Sequence, residues 1–171
     1  IPAARQTLLL SATFPEQIQK IAARVMRDPI TVEAESTHSD DSIAQSFYRV
    51  ANEDDRFKAL RLLLLDKAPS SGVVFCNTKN DVEDVTYALR DQGYLALALH
   101  GDLEQRDRDQ AYTRFKQNSA HCLVATDVAA RGLDVDDLQA VVNYELQSDP
   151  EVYVHRLGRT GRAGQAGLGI S

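Results

Sequence analysis

Three arginines recur at every third position near the end of the chain, in the segment VYVHRLGRTGRAG of residues 152–164. They are Arg156, Arg159 and Arg162, and Gly158, Gly161 and Gly164 keep the same spacing. A glycine inside a helix costs about 1 kcal/mol relative to alanine, so this spacing disfavours a continuing helix. Guanidinium groups are planar, permanently charged and matched to phosphate oxygens. The segment therefore predicts one wall of a nucleotide site.

The chain contains neither of the common phosphate-binding loops, GxxxxGK[ST] and GxGxxG. The arginine segment therefore offers cationic side chains without a phosphate-binding loop, and the other wall of the site must lie elsewhere. The alternative interpretation is a glycine-rich turn whose arginines pair with local acidic residues.

A second polar segment, ATDVAARGLDV at 125–135, follows an apolar stretch. Thr126 and Asp127 stand where hydroxyl and backbone groups can meet a phosphate. Gly132 permits close backbone approach, and Asp134 can accept hydrogen bonds from the two hydroxyls of a sugar. The alternative is a capped turn, with Asp127 as the helix cap and Arg131 in a surface ion pair.

Two further segments carry single candidates. In HGDLEQRDRDQ, Gly101 can present its amide to a phosphate, and Gln105 and Arg108 share one helix face. Thr78 follows the apolar run VVFCN. Taken alone, the first segment is typical of a solvated helix, and Thr78 is typical of a helix cap.

Short apolar segments alternate with helical ones along the chain. Strands are predicted over 6–11, 29–34, 43–50, 72–76, 94–99, 120–126, 138–145 and 166–171. Helices are predicted over 15–28, 54–67, 79–92, 103–117 and 149–158. This alternation predicts an α/β fold, an open parallel sheet with helices on both faces. In such sheets, ligand-binding residues lie on loops at the carboxyl ends of the strands.

Composition divides the chain and limits its function classes. The polar stretch 36–42 predicts a linker between residues 1–35, the tail of a preceding domain, and a domain over 43–171 that stops within a strand. We therefore expect the chain to be a fragment. The net charge of −6 argues against an indiscriminate basic surface. No apolar run approaches the length of a membrane span, and no spacing predicts a metal site. Cys76 and Cys122 lie in apolar runs, which predicts reduced core thiols in a cytoplasmic protein.

Taken in order, five motifs resemble the second half of a DEAD-box RNA helicase. They are SAT (11–13), VVFCNT (73–78), HGD followed by QRDR (100–108), ATDVAARGLD (125–134) and HRLGRTGR (155–162). The resemblance runs essentially from end to end, and HGDLEQRDRDQ with DPEVYVHR is most similar to the bacterial DbpA-type, ribosome-assembly branch. It implies that the fold is RecA-like and of the P-loop NTPase type.

The resemblance also assigns roles to residues. Arg159 and Arg162 match the arginine fingers that reach the γ-phosphate of ATP, and Asp134 matches the residue that holds the ribose, near Gly132. The positions that grip the RNA backbone correspond to Thr78, Gly101, Gln105, Arg108 and Thr126. Motifs that couple hydrolysis to domain closure correspond to Ser11, Thr13, Arg131 and His155.

The implied cofactor is ATP with Mg²⁺, the metal being held by the first RecA-like domain, which lies outside this chain. The implied partners are RNA, bound through its backbone, and the first RecA-like domain. Ribosomal RNA is a further implied partner, through a C-terminal tail. A monomer without membrane contact is expected. Two alternatives stay open. One is a related helicase that acts on DNA, and the other is a non-catalytic module that binds RNA or protein.

Overall fold

The structure is a computed structural model that describes residues 5–11, 14, 16–32, 42–130, 138–161 and 166–171. The chain divides into two compact units, Ile1–Ser36 and Thr37–Ser171. The assignment of the first unit to a preceding domain stays a prediction, and the predicted linker over 36–42 lies almost wholly outside the described residues.

Among its described residues, the first unit has one helix, α1 (Glu16–Val25), which buries Ala22. The strands predicted over 6–11 and 29–34 are wrong where the structure describes them, because residues 6–11 and 29–32 form no strand. Most apolar side chains there are exposed, namely Leu8, Leu10, Ile30 and Val32, and Leu10 is 90% accessible. An extended segment becomes a strand only when a neighbour completes its hydrogen-bond ladder, and two short segments beside one helix bury too little surface to form a sheet.

The second unit alternates strands and helices. In chain order they are β1 (Ile43–Ser46), α2 (Glu53–Lys67), β2 (Gly72–Phe75), α3 (Lys79–Asp91), β3 (Ala96–Leu99), α4 (Gln105–Lys116), β4 (Cys122–Ala125), α5 (Asp127–Ala130), β5 (Ala140–Asn143), α6 (Pro150–Leu157) and β6 (Gly167–Ile170). Each element predicted from residue 43 onward is present, usually a few residues shorter than expected. The short helix α5 was not predicted from the sequence.

Capping residues fix where the longer helices begin. Asn52 accepts a hydrogen bond from the Asp55 amide at the start of α2, and Thr78 does the same from Asp81 at the start of α3. Asp149 caps α6, whose first residue is Pro150. Such side chains replace the helical partners that the first amides lack.

The six strands form one sheet in the order β1-β6-β5-β2-β4-β3, and every pairing is parallel. The predicted fold class is confirmed. Since all the strands run the same way, the loops that follow them lie at one edge of the sheet, which we call the carboxyl edge, and the opposite edge is the amino edge.

Two core clusters cover the two faces of the sheet. On one face, Val73 and Phe75 pack with the helices α4, α5 and α6. On the other face, Val74 and Cys76 pack with α2 and α3. Successive side chains along β2 thus pack into the clusters on opposite faces of the sheet, because side chains alternate between the two faces of a strand. The layers are helix, sheet and helix.

The chain reverses its direction across the sheet between β2 and β5. From β2 it passes through α3 to β3 on one side, and from β5 it passes through α6 to β6 on the other. The helices α3 and α6 lie on opposite faces. This arrangement is a topological switch point, and the crevice outside it is where open α/β sheets commonly bind ligands.

Candidate nucleic-acid and nucleotide site

Three neighbouring loops at the carboxyl edge, together with the first turn of α4, carry all five residues predicted to grip a nucleic-acid backbone. Thr78 follows β2, Gly101 follows β3 and Thr126 follows β4, while Gln105 and Arg108 lie in the first turn of α4. The strands β2, β4 and β3 are adjacent in the sheet. At about 4.8 Å between strands, the three loops span roughly 10 Å. The structure therefore brings these predicted residues to one surface.

Thr78 is exposed, and its hydroxyl belongs to the helix cap. It accepts the Asp81 amide at 3.2 Å and donates to the Asp81 carboxylate. The capping role considered from the sequence is thus observed. A phosphate that used the Thr78 hydroxyl as a donor would have to displace the Asp81 carboxylate.

The loop after β3 is held on both sides of Gly101. The ring of His100, which is buried, contacts the Glu83 carboxylate of α3. Asp102 accepts from the Lys79 ammonium at the start of α3, and this bond lowers the pKa of the Asp102 carboxyl. Apart from its chain neighbours, no described residue has an atom within 4 Å of where a Cβ on Gly101 would be. The backbone of Gly101 is thus open to a ligand on a fixed loop.

Arg108 connects the start of α4 with the loop after β4. Its guanidinium donates to the Ala129 carbonyl at 3.4 Å, and its buried Nε has no partner among the described residues. Gln105 is exposed and donates to Asp109 at 2.8 Å. The amide of Thr126 donates to the Leu99 carbonyl at 3.2 Å, which joins the ends of β3 and β4.

Arg156 is the main correction to the sequence analysis, which grouped it with the phosphate-facing arginines. Its side chain is 2% exposed and is enclosed at the switch point. It forms a two-bond pair with Asp127, at 2.7 Å for each bond. It also donates to Asn143 (3.0 Å), the Glu145 carbonyl (2.9 Å) and Asn77 (3.2 Å), and it lies over the Phe75 ring at 5.0 Å.

These contacts correct two expectations. Arg156 cannot face a nucleotide, since it is surrounded by its own chain. The Asp127 carboxylate serves this ion pair, which neither sequence interpretation proposed. Asn77 and Asn143 were not singled out either. A signal was present, because Tyr153, Arg156 and Leu157 share the spacing of one inward helix face, and Arg156 and Leu157 are both buried.

Arg159 lies at the amino edge, away from the five carboxyl-edge candidates. Its carbonyl accepts from the amide of Leu138, which precedes β5, at 3.1 Å. The next residue, Thr160, is fully buried and pairs with Leu138, to whose carbonyl its hydroxyl donates. Arg159 therefore lies at the edge opposite the loops on which the sheet topology places ligand-binding residues, and its predicted role stays a prediction. A four-residue strand separates the two edges by about 13 Å.

The remaining predicted residues are mostly not described. Arg162, Gly132, Asp134, Arg131 and Thr13 lie outside the described residues. His155 is exposed in the last turn of α6, and Ser11 is exposed in the first unit. Of the residues that the resemblance assigns to the nucleotide, which are Arg159, Arg162, Asp134 and Gly132, the structure describes Arg159, and this residue is half-buried.

Both cysteines are core residues. Cys76 and Cys122 are free thiols on the α2–α3 face, and burial raises the pKa of each to about 12. Within the described ranges, there is no group of three His, Cys, Asp or Glu residues placed to hold a metal ion. No helix among the described segments has the length and apolar character needed to cross a membrane.

Comparison with known proteins identifies the family. Residues 55–164 match the family model of the helicase conserved C-terminal domain. Over 170 residues the chain is 57% identical to the ATP-dependent RNA helicase DbpA of Escherichia coli K12. The match covers 99% of this chain and 37% of that protein. This chain belongs to the DEAD-box helicase family. The DEAD-box helicase RhpA of Helicobacter pylori 26695 is 44% identical over 172 residues, and the match covers 100% of this chain and 35% of that protein.

Solved structures agree with this assignment. A structure described as the C-terminal domain of the DEAD-box protein Dbp5 has a TM-score of 0.71 and 36% identity, and the match covers 77% of this chain and 76% of that one. Dbp5 of Saccharomyces cerevisiae bound to RNA and ADP BeF3 has a TM-score of 0.87 at 34% identity, covering this chain fully and 46% of that chain. The family and RecA-like fold predicted from the motifs are confirmed. The chain spans little more than a third of its curated relatives.

Proposed function

We propose that the second unit is the RNA-gripping and finger-bearing domain of an ATP-dependent RNA helicase. The observation that carries the proposal is the placement of Thr78, Gly101 and Thr126 on three adjacent loops, beside Gln105 and Arg108. Membership of the DEAD-box family supports RNA as the ligand, since a relative with the same fold is bound to RNA.

The candidate contacts suit a phosphate backbone. They are amides, hydroxyls and one guanidinium, groups that position a nucleic acid without distinguishing its bases. The net charge of −6 requires binding through a local surface rather than the whole protein. We therefore expect little sequence specificity in this domain.

ATP would be bound between this domain and a first RecA-like domain that also holds Mg²⁺. Arg159 and Arg162 would reach the γ-phosphate and stabilise the charge that develops on its oxygens, with Asp134 and Gly132 near the ribose. Because Arg159 lies at the amino edge, the nucleotide and the RNA would approach opposite edges of the sheet. This chain alone should hydrolyse essentially no ATP.

Closure of the two domains would make hydrolysis depend on RNA. Ser11, Thr13, Arg131 and His155 are the residues expected to couple the domains. RNA that binds better to the closed form promotes that form, and closure on a bent strand would separate a short duplex. A role in ribosome assembly, a cytoplasmic location and a monomeric state belong to the same proposal.

The test is RNA binding by the full-length parent. With labelled single-stranded RNA and a non-hydrolysable ATP analogue, Arg108→Ala should weaken binding by about 10- to 100-fold, because a charge-assisted hydrogen bond contributes about 1.5–3 kcal/mol. Arg114→Ala, an exposed arginine later in the same helix, should change it by less than about threefold. Equal effects of the two substitutions would overturn the proposed RNA surface.

A second assay, ATP turnover by the full-length parent in the presence of RNA or DNA, separates the two other functions. A DNA helicase would show ATP turnover stimulated by DNA at least as strongly as by RNA. A non-catalytic module would bind RNA without RNA-stimulated turnover in the full-length protein.

A further inference from the structure

We propose that Arg156 is a positioning residue for RNA binding: its buried guanidinium fixes the loops after β2 and β4, and so places Thr78 and Thr126. This inference rests on the proposed function. Arg156 itself would touch neither RNA nor ATP, because its side chain is 2% exposed.

The loop after β4 is held by the ion pair. Arg156 Nε donates to one Asp127 carboxylate oxygen and a terminal nitrogen donates to the other, both at 2.7 Å. Asp127 directly follows Thr126. Two parallel bonds fix the plane of the carboxylate as well as its distance, so the backbone beside Thr126 cannot rotate without breaking them.

The loop after β2 is held through Asn77. The Asn77 side-chain oxygen accepts from Arg156 at 3.2 Å and from the Gln147 amide group at 2.7 Å. Asn77 directly precedes Thr78. The same guanidinium thus restrains the residues next to two candidate RNA contacts on neighbouring strands.

The guanidinium is itself anchored to the end of β5. It donates to the Asn143 side chain at 3.0 Å and to the Glu145 carbonyl at 2.9 Å. With the bonds to Asp127 and Asn77, these contacts use all five of its N–H groups. A side chain fully engaged in this way has one orientation, which allows it to set the loops rather than follow them.

Lysine cannot replace this geometry. Its ammonium has three donors at one point, whereas the five acceptors around Arg156 lie around a plane. Arg156→Lys in the full-length parent should therefore keep a positive charge beside Asp127 but release Asn77 or β5. The loops after β2 and β4 would lose their fixed placement, while the residues proposed to bind ATP would keep theirs.

The experiment compares RNA affinity with ATP affinity. For Arg156→Lys we expect the Kd for single-stranded RNA to rise by at least about tenfold, and the KM for ATP at saturating RNA to change by less than about twofold. A merely structural role would lower Tm without separating the two constants. Equal shifts in both, or an unchanged RNA Kd, would overturn the inference.

Two further variants make the test independent of folding. Asn77→Ala leaves the pair of Arg156 with Asp127 intact. It should also raise the RNA Kd, by a smaller factor than Arg156→Lys does. Arg56→Lys is the matched control, because Arg56, in α2, pairs with the Glu145 side chain at 2.9 Å and lies over the Tyr144 ring. Both partners lie on the loop after β5, which carries no candidate RNA contact. Arg56→Lys should leave the RNA Kd unchanged, and a rise equal to that of Arg156→Lys would contradict specific positioning.

The outcome for Arg108→Ala separates this inference from the proposed function. If Arg108→Ala weakens RNA binding while Arg156→Lys and Asn77→Ala do not, positioning by Arg156 is wrong and the RNA surface stands. If Arg108→Ala also leaves RNA binding unchanged, the proposed function itself is wrong.

Discussion

At the residue scale, the ion pair of Arg156 with Asp127 should be the most costly polar contact to break. The Arg156 side chain is 2% and the Asp127 side chain 21% exposed. Removing one partner leaves the other charge without compensation in a desolvated site, at a cost of about 3–5 kcal/mol. We expect Asp127→Ala to lower the free energy of unfolding by about 3 kcal/mol, measured by urea denaturation.

The control for this prediction is the exposed pair of Lys58 with Asp55 in α2. Lys58→Ala should cost less than about 1 kcal/mol, as surface ion pairs do. A loss below 1 kcal/mol for Asp127→Ala as well would show that the pair is not a structural anchor.

Gly161 is a second residue whose identity the backbone requires. Its φ is +70°, and a Cβ there would lie 2.5 Å from a side-chain carbon of Ile43. Gly161→Ala should destabilise the second unit by more than about 1 kcal/mol. Gly93 also has a positive φ, of +84°, but a Cβ there would meet open space. Gly93→Ala should therefore lower the free energy of unfolding by less than Gly161→Ala. Thermal unfolding of the two variants measures the contribution of the contact, and equal losses would contradict it.

Sequence reasoning at this scale had a specific limit. Spacing alone placed Arg156 and Arg159 in the same role, because both occur in one arginine–glycine pattern. The structure separates them, since Arg156 lies on the buried side of α6 and Arg159 lies in the turn after it. The predicted helix over 149–158 contains Arg156 but not Arg159, and its inward face distinguishes the two positions.

At the element scale, two helices begin with the same kind of cap but differ in their proposed function. Thr78 caps α3 and Asn52 caps α2. Thr78→Ala and Asn52→Ala should each lower the free energy of unfolding by about 1 kcal/mol. Only Thr78→Ala should also weaken RNA binding by the full-length parent. If Asn52→Ala weakens RNA binding equally, the effect of Thr78 acts through helix stability rather than through an RNA contact.

Elements with a clear period and a place in one sheet could be predicted, and others could not. The spacing of Phe57, Leu60 and Leu64 in the sequence predicts one apolar face of α2. In the structure, Leu60 and Leu64 are buried and Phe57 packs beside them. The strands over 6–11 and 29–34 had the same apolar composition as true strands. They fail because pairing depends on neighbours, which a local sequence pattern does not include.

At the scale of the whole molecule, two layers of helices shield the sheet from solvent. Both cysteines lie inside, and burial holds the pKa of Cys76 and Cys122 at about 12. Relative to an unfolded thiol with a pKa near 8.5, alkylation at pH 8 should be slower by roughly 10³-fold in the native chain. Iodoacetamide labelling with and without urea measures this, and rapid native labelling would contradict a closed core.

The same thiols predict the direction of a pH effect. The folded state holds its thiol protons up to a pKa of about 12, whereas the unfolded state releases them from a pKa near 8.5. The stability from the buried thiols is therefore complete below pH 8.5 and decreases as the pH rises towards 12. Cys122→Ala should reduce this decrease in urea denaturation between pH 8 and 10. An unchanged slope would contradict it.

The arrangement of the sheet also shows what the motifs alone could not. Their order and spacing were sufficient to predict the family, and the alternation of strands and helices predicted the parallel sheet. The motifs did not show that Arg159 lies at the amino edge. Its position depends on where α6 ends relative to the sheet, which the motifs do not specify. The proposed function therefore has RNA and ATP meeting opposite edges of one domain.

The central claim is tested most directly by RNA-stimulated ATP turnover of the full-length parent, wild type beside Arg159→Ala, with Arg114→Ala as control. A finger that reaches the γ-phosphate predicts a loss on the order of 10³-fold for Arg159→Ala, with the RNA Kd unchanged and with Arg114→Ala near wild type. Turnover unchanged by Arg159→Ala would contradict the account, because the amino edge would then serve structure rather than catalysis.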